Sequence, residues 1–122
     1  MISPRATIRI HNLSLRTIIG ANTWERTSPQ DVIINLAVEF DPTQAIATDA
    51  LDSTLNYKAL KRALIEMVEK SSFNLVEKLT SEILRVVMDD PRALKATVKV
   101  DKPHALRFAD SVSVEMSAER GT

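Results

Sequence analysis

Cysteine is absent from these 122 residues, which excludes disulfides and thiolate metal sites and leaves the fold to be held by burial and hydrogen bonding. Histidine occurs twice, at His11 and His104, far apart in the chain, so a histidine-rich zinc site is not expected. No charge of one sign dominates either. Sixteen basic and sixteen acidic residues cancel, so no whole-chain field draws in nucleic acid or an anionic membrane, and any anion site has to be a local cluster. No apolar run approaches the ~20 residues of a membrane span, and the opening stretch MISPRATIRI carries no signal-peptide apolar core; a cytoplasmic setting is the expectation. Glycine stands only at Gly20 and Gly121, too sparse for a phosphate-cradling loop. A nucleophile elbow and a helical metal pair are missing as well. Repeats, low-complexity tracts and linkers are not found, and 44% apolar content over this length predicts one domain, residues 1–122, with a real core.

What is there is periodicity. Ile8 and Ile10 alternate with polar residues, as do Leu13 and Leu15, and the phase slips by one at His11-Asn12; this reads as a long strand with a bulge. A turn-rich loop follows at residues 20–31. Val32, Ile34, Leu36, Val38 and Phe40 then alternate as a second strand, paired with the first as an antiparallel hairpin. Residues 41–54 read as a polar connection. From Tyr57 the period becomes helical, with Leu60, Leu64, Met67 and Val68 on one face. An interruption at Phe73-Asn74 separates this helix from a second one, marked by Val76, Leu79, Ile83, Val86 and Val87 and ended near Asp89-Asp90-Pro91. Ala96, Val98 and Val100 give a third strand, and Val112, Val114 and Met116 a fourth. The order β-β-α-α-β-β predicts an α+β domain, an antiparallel sheet with two helices on one face. Its other face carries Ile33, Asn35, Ala37, Glu39, Thr97 and Lys99, a mixed surface, and its long open edges invite self-association.

The stretch DKPHALRFADSVSV, residues 101–114, sets basic groups Lys102, His104 and Arg107 around Pro103 just before a strand. Lys102 is either an ordinary edge lysine or, if desolvated among cations, a group able to move protons near neutrality. His104 and Arg107 either supply those cations or bind phosphate; Arg16 and Arg26 on the first hairpin are further cationic candidates. Glu77 follows Asn74 by three residues, the spacing of a capping box. A carboxylate in a helix's first turn also has two oxygens free to accept paired N–H donors from an aminopyrimidinone edge. Tyr57, the sole tyrosine, is an amphipathic anchor or an aromatic lid and proton carrier. Glu25 lies in the loop after Gly20 beside Trp24, the sole tryptophan, and is either solvated or part of a contact surface.

The blocks IRIHNLSLRTIIGANTWERTSPQDVIINLAVEF, LNYKALKRAL, FNLVEKLTSEIL and DKPHALRFADSVSVEM, in that order over residues 7–117, resemble the dihydroneopterin aldolase family, and LSLRTIIG with HALR-x-ADSVS resembles its triphosphate 2′-epimerase branch. The resemblance implies the tunnelling fold (T-fold), in which subunits join sheets into a barrel and two tetramer rings stack as a homo-octamer with active sites between neighbours. It implies a pterin substrate, no cofactor, and no nucleic-acid or membrane partner. It places a pterin-anchoring role on Glu77, flanking backbone contacts on Val76 and Leu55, a stacking and proton-carrying role on Tyr57, and catalytic roles on Lys102 and on the loop glutamate Glu25, which would hold the ring edge or orient Lys102. Phosphate contacts are expected from Arg107, His104 and Arg16. The expected reaction is metal-free epimerisation at C2′ of 7,8-dihydroneopterin triphosphate by retro-aldol and aldol steps, with possible side aldolase activity. The alternatives are an aldolase giving 6-hydroxymethyl-7,8-dihydropterin and glycolaldehyde, and a non-catalytic pterin-binding oligomer. Ile19, where aldolases commonly carry histidine before the loop glycine, counts against plain aldolase function.

Overall fold

The computed structural model describes residues 3–121. Five strands form one sheet in the order β3-β1-β2-β4-β5: β1 Ala6–Ile19, β2 Gln30–Phe40, β3 Ser72–Phe73, β4 Lys95–Pro103 and β5 Ser111–Glu119. The helices are α1 Thr43–Thr48, α2 Tyr57–Glu69 and α3 Val76–Met88. No helix among the described residues is long and apolar enough to cross a membrane.

Alternation builds the core. Val32, Ile34, Leu36, Val38 and Phe40 all point to one face of β2, and Ala96, Val98 and Val100 do the same on β4. α2 lies against β1, and α3 against β4 and β5, so both long helices cover that face, contributing Leu64, Val68, Leu79, Ile83 and Val87. The bulge expected at His11-Asn12 is present: Ile10 pairs with Leu36 but Leu13 with Ile34, so β1 spends one extra residue there. Asn12 takes a positive φ of 53°. Its amide N–H donates to Asn35 Oδ1 at 2.8 Å, and Asn35 Nδ2 donates back to Asn12 Oδ1 at 3.1 Å. The extra residue keeps Ile8, Ile10, Leu13 and Leu15 on the core side despite the slip in sequence phase. The mixed opposite face is a shallow depression of about 390 Å³ lined by Arg9, His11, Asn35, Glu39, Lys99 and neighbouring residues.

Three features depart from the sequence reading. The connection at 41–54 contains α1 and a 3₁₀ turn at Leu51–Ser53. α1 buries no side chain, and its start is held locally by Asp41, which accepts from the Thr43 amide at 2.9 Å and the Thr43 hydroxyl at 2.5 Å. With no apolar stripe, it has no helical period to read. The interruption between the long helices is β3, two residues running parallel to Ile18-Ile19. The capping box at Asn74 and Glu77 does not form: α3 begins at Val76 with Leu75 as N-cap and no side-chain cap bond, so Asn74 sits one residue too early and Glu77 one residue short of the reach-back position. α2, by contrast, is capped by Asn56, whose Oδ1 accepts from the Lys58 and Ala59 amides at 3.1 Å each.

Candidate functional site

Strand phase explains the central residue. Lys102 follows Val98 and Val100 in steps of two, so β4 turns it toward the helix-covered face at the strand's end, where it is 9% exposed. An ammonium there requires a partner. Glu25 supplies it from the 3₁₀ turn Thr23–Arg26 in the β1–β2 loop, and is itself 4% exposed. The Lys102 ammonium donates to Glu25 Oε2. Gln30 Nε2 donates to the same oxygen at 3.3 Å, and the Asn22 amide donates to Oε1 at 3.1 Å. The sequence reading set Lys102 among the cations His104 and Arg107; in the structure its partner is this carboxylate, and both proposed neighbours are exposed. Gly20 makes the arrangement possible. Its φ of +125° and the absence of a side chain let Glu25 lie over it; a Cβ there would sit 2.2 Å from Glu25 Cδ.

The Lys102 contact holds the Glu25 carboxyl below the ordinary glutamate value of 4.5, helped by the Asn22 and Gln30 donors and opposed by burial. Because the folded value is depressed, the pair's stabilising contribution is complete above about pH 4.5 and is lost as the pH falls through the depressed value. Glu25→Gln leaves the ammonium buried without a counter-charge. It should cost about 3 kcal/mol at neutral pH, the low end for a broken buried pair because a lysine can swing toward water. Urea denaturation of wild type and variant from pH 7 to pH 3 should show their stabilities converging on the acid side; a constant gap would remove the pair from the acid-stability profile.

The other expected residues divide between two ends of the molecule. Ile33 pairs with Asp101, which brings the end of β4 beside the start of β2 and the 20–29 loop. β3 pairs with Ile18-Ile19, and the Gly20 amide donates to Phe73 O at 3.1 Å, so the start of α3, with Val76 and an exposed Glu77, lies at this end too. The β4–β5 turn carrying His104 and Arg107 also lies here. Arg107 stacks over the fully exposed Phe108 ring at 5.4 Å. Arg16 is likewise at this end, but its guanidinium donates to Pro29 O at 2.8 Å and lies 3.7 Å from Asp31. Tyr57 and Leu55 are elsewhere. α2 runs toward β3, so Tyr57 at its N-terminus is twelve residue steps, roughly 18 Å, from the Lys102 end. Arg92, in the α3–β4 connection, donates to Asp52 O at 2.8 Å and ties the segment before α2 to that far end. Leu55 is buried and Tyr57 half exposed to solvent.

Arg26, noted in the sequence only as a further cation, is half-buried, and its guanidinium donates to three backbone carbonyls, Gly20 and Phe73 at 3.1 Å and Ser72 at 2.5 Å. Its only sequence signal is adjacency to Glu25. Ile19, noted for standing where aldolases carry histidine, is fully buried in the core.

An α+β sheet with helices on one face thus carries a buried lysine–glutamate pair at the sheet end where a helix begins. The chain belongs to the dihydroneopterin aldolase family, whose pattern matches residues 8–117. It is 44% identical over 115 residues to a dihydroneopterin triphosphate 2′-epimerase of Pseudomonas aeruginosa, covering 94% of each chain. It is 39% identical over 120 residues to the enzyme of that name from Escherichia coli strain K12, covering 98% of this chain and all of the other. The E. coli dihydroneopterin aldolase solved with neopterin superposes at a TM-score of 0.87 with 27% identity, over 95% of this chain and 99% of that one.

Proposed function

We propose that the protein epimerises C2′ of 7,8-dihydroneopterin triphosphate. The observation that carries this is the buried Lys102–Glu25 pair at the same sheet end as the exposed first turn of α3. The higher identity to enzymes named as epimerases than to the solved aldolase supports the branch.

In this reading Glu77 accepts the paired N–H donors of the aminopyrimidinone edge, with backbone contacts from Val76. Removing the 2′-hydroxyl proton lets the C1′–C2′ bond break. The hydroxyl carbon becomes an aldehyde, and the electron pair passes through C1′ and C6 to N5, which takes up a proton. The ring imine is thus the electron sink, and the reaction calls for no metal or cofactor. Lys102 and an ordered water manage the N5 and hydroxyl protons. Glu25, already committed to Lys102, Asn22 and Gln30, orients the ammonium rather than gripping the ring. Rotation of the aldehyde before the bond re-forms gives the epimer; its escape gives aldolase products.

Tyr57 and Leu55 complete such a site only from a neighbouring chain, because α2 carries them away from Lys102. The open edge of β1 before Ile18 and the free edge of β5 would close subunits into a T-fold barrel, and rings of subunits would stack as an octamer.

The test is incubation with dihydroneopterin triphosphate, dephosphorylation and chiral chromatography. The 2′-epimer is expected; accumulation of 6-hydroxymethyl-7,8-dihydropterin instead would make the protein an aldolase.

The triphosphate rides on the aldehyde fragment, so a cationic contact would retain it. His104 and Arg107 on the β4–β5 turn are proposed for that contact; Arg16, partly engaged by Pro29 and Asp31, is the weaker candidate. Arg107→Ala should raise KM for the triphosphate about tenfold, the worth of one charge-assisted contact, and leave KM for unphosphorylated dihydroneopterin near wild type. Equal effects on both substrates would take Arg107 out of the phosphate role.

A further inference from the structure

The 3₁₀ turn Thr23–Arg26 faces two ways. Glu25 reaches β4 and holds Lys102, while the next residue, Arg26, reaches the opposite side and holds β3. We propose that Arg26 is a positioning residue that sets the separation between the Lys102–Glu25 pair and the first turn of α3, and through it the affinity for the pterin ring. This rests on the pterin reading given above.

β3 is two residues long, and Val76 begins α3 only three residues after Phe73. Whatever fixes the Ser72 and Phe73 carbonyls therefore fixes where α3 starts. α3 has no side-chain cap to anchor that start independently. Arg26 is suited to the task because its planar guanidinium presents several donors in one rigid fork, which here span the Gly20 carbonyl of the site loop and two carbonyls of β3. The fold does not depend on this fork. β3 keeps its pairing with Ile18-Ile19, the Gly20 amide still donates to Phe73 O, and the Thr17 hydroxyl still donates to Ser71 O at 3.0 Å. The Lys102–Glu25 pair also stands without it, held by Asn22 and Gln30. Loss of Arg26 should therefore loosen the ring-anchoring side of the site and spare the proton-transfer side.

That division gives the test. With the full-length protein, neopterin affinity is measured by fluorescence titration, and KM and kcat with dihydroneopterin triphosphate, for wild type, Arg26→Ala and Arg26→Lys. Arg26→Ala should weaken neopterin binding and raise KM by about tenfold, the scale of a lost charge-assisted contact, with kcat within about threefold of wild type. Arg26→Lys, which keeps the charge but not the fork, should fall between the two and serves if the alanine variant does not fold. Unchanged neopterin affinity and KM in a folded variant would overturn the proposal, as would a fall in kcat at constant KM. Wild-type protein that neither binds neopterin nor converts the triphosphate would instead sink the pterin reading, and this inference with it.

Discussion

Lys102→Ala should bind neopterin within about threefold of wild type while turnover falls by about 10²–10³-fold, the range for removing one well-placed acid–base group. Ring affinity comes in this reading from Glu77 and the backbone at the start of α3, and the lysine lies on a different strand. The substitution also leaves Glu25 without its principal partner in a site only 4% exposed, so the variant should be less stable. Lys102→Met, close in volume, restores the packing alone: Glu25 stays without its counter-charge and turnover is not recovered. Single-turnover measurements with dihydroneopterin triphosphate decide the matter. A Lys102→Ala enzyme that turns over at the wild-type rate would end the proton-transfer role.

Gly20→Ala should be as damaging without touching a charged group. The new Cβ would lie 2.2 Å from Glu25 Cδ and 2.3 Å from both carboxylate oxygens, and alanine at a φ of +125° is strained in any surroundings. The carboxylate cannot move away without breaking from Lys102, Asn22 and Gln30. Backbone strain and the disrupted pair together suggest a loss of about 4 kcal/mol, or roughly 15 °C in Tm for a domain of this size. Turnover should fall with it. Because both substitutions act on one carboxylate, Gly20→Ala and Glu25→Gln combined should cost clearly less than the sum of their separate effects. Thermal unfolding of the two single variants and the double variant measures this; strict additivity, or a Gly20→Ala protein with wild-type Tm, would show that the glycine does not shape the carboxylate's seat.

Much of this was legible in the residues because period and burial coincide. The alternation of β2 and β4, the slip at His11-Asn12 and the two helical stripes each correspond to an observed element. α1 and β3 escaped because neither buries a patterned face: α1 has no buried residue, and β3 is too short to show a period. Glu25 and Lys102 were each picked out, but separation by 77 positions hides a pairing that only the order β1-β2-β4 creates. The phase of Lys102 with Val98 and Val100 was the available signal, since a lysine in a core register demands a counter-charge. The capping expectation at Asn74 failed by one residue, a displacement that spacing alone could not detect. Arg26 was noted only as a cation; its bonds go to carbonyls, which one-letter patterns do not record.

The length of α2 has a consequence for working conditions. If the proposed site needs both Lys102 at one end of a chain and Tyr57 at the other, each isolated copy offers two half-sites and no whole one. Catalysis would then require that copies meet, and dilution would switch the enzyme off without unfolding a single helix.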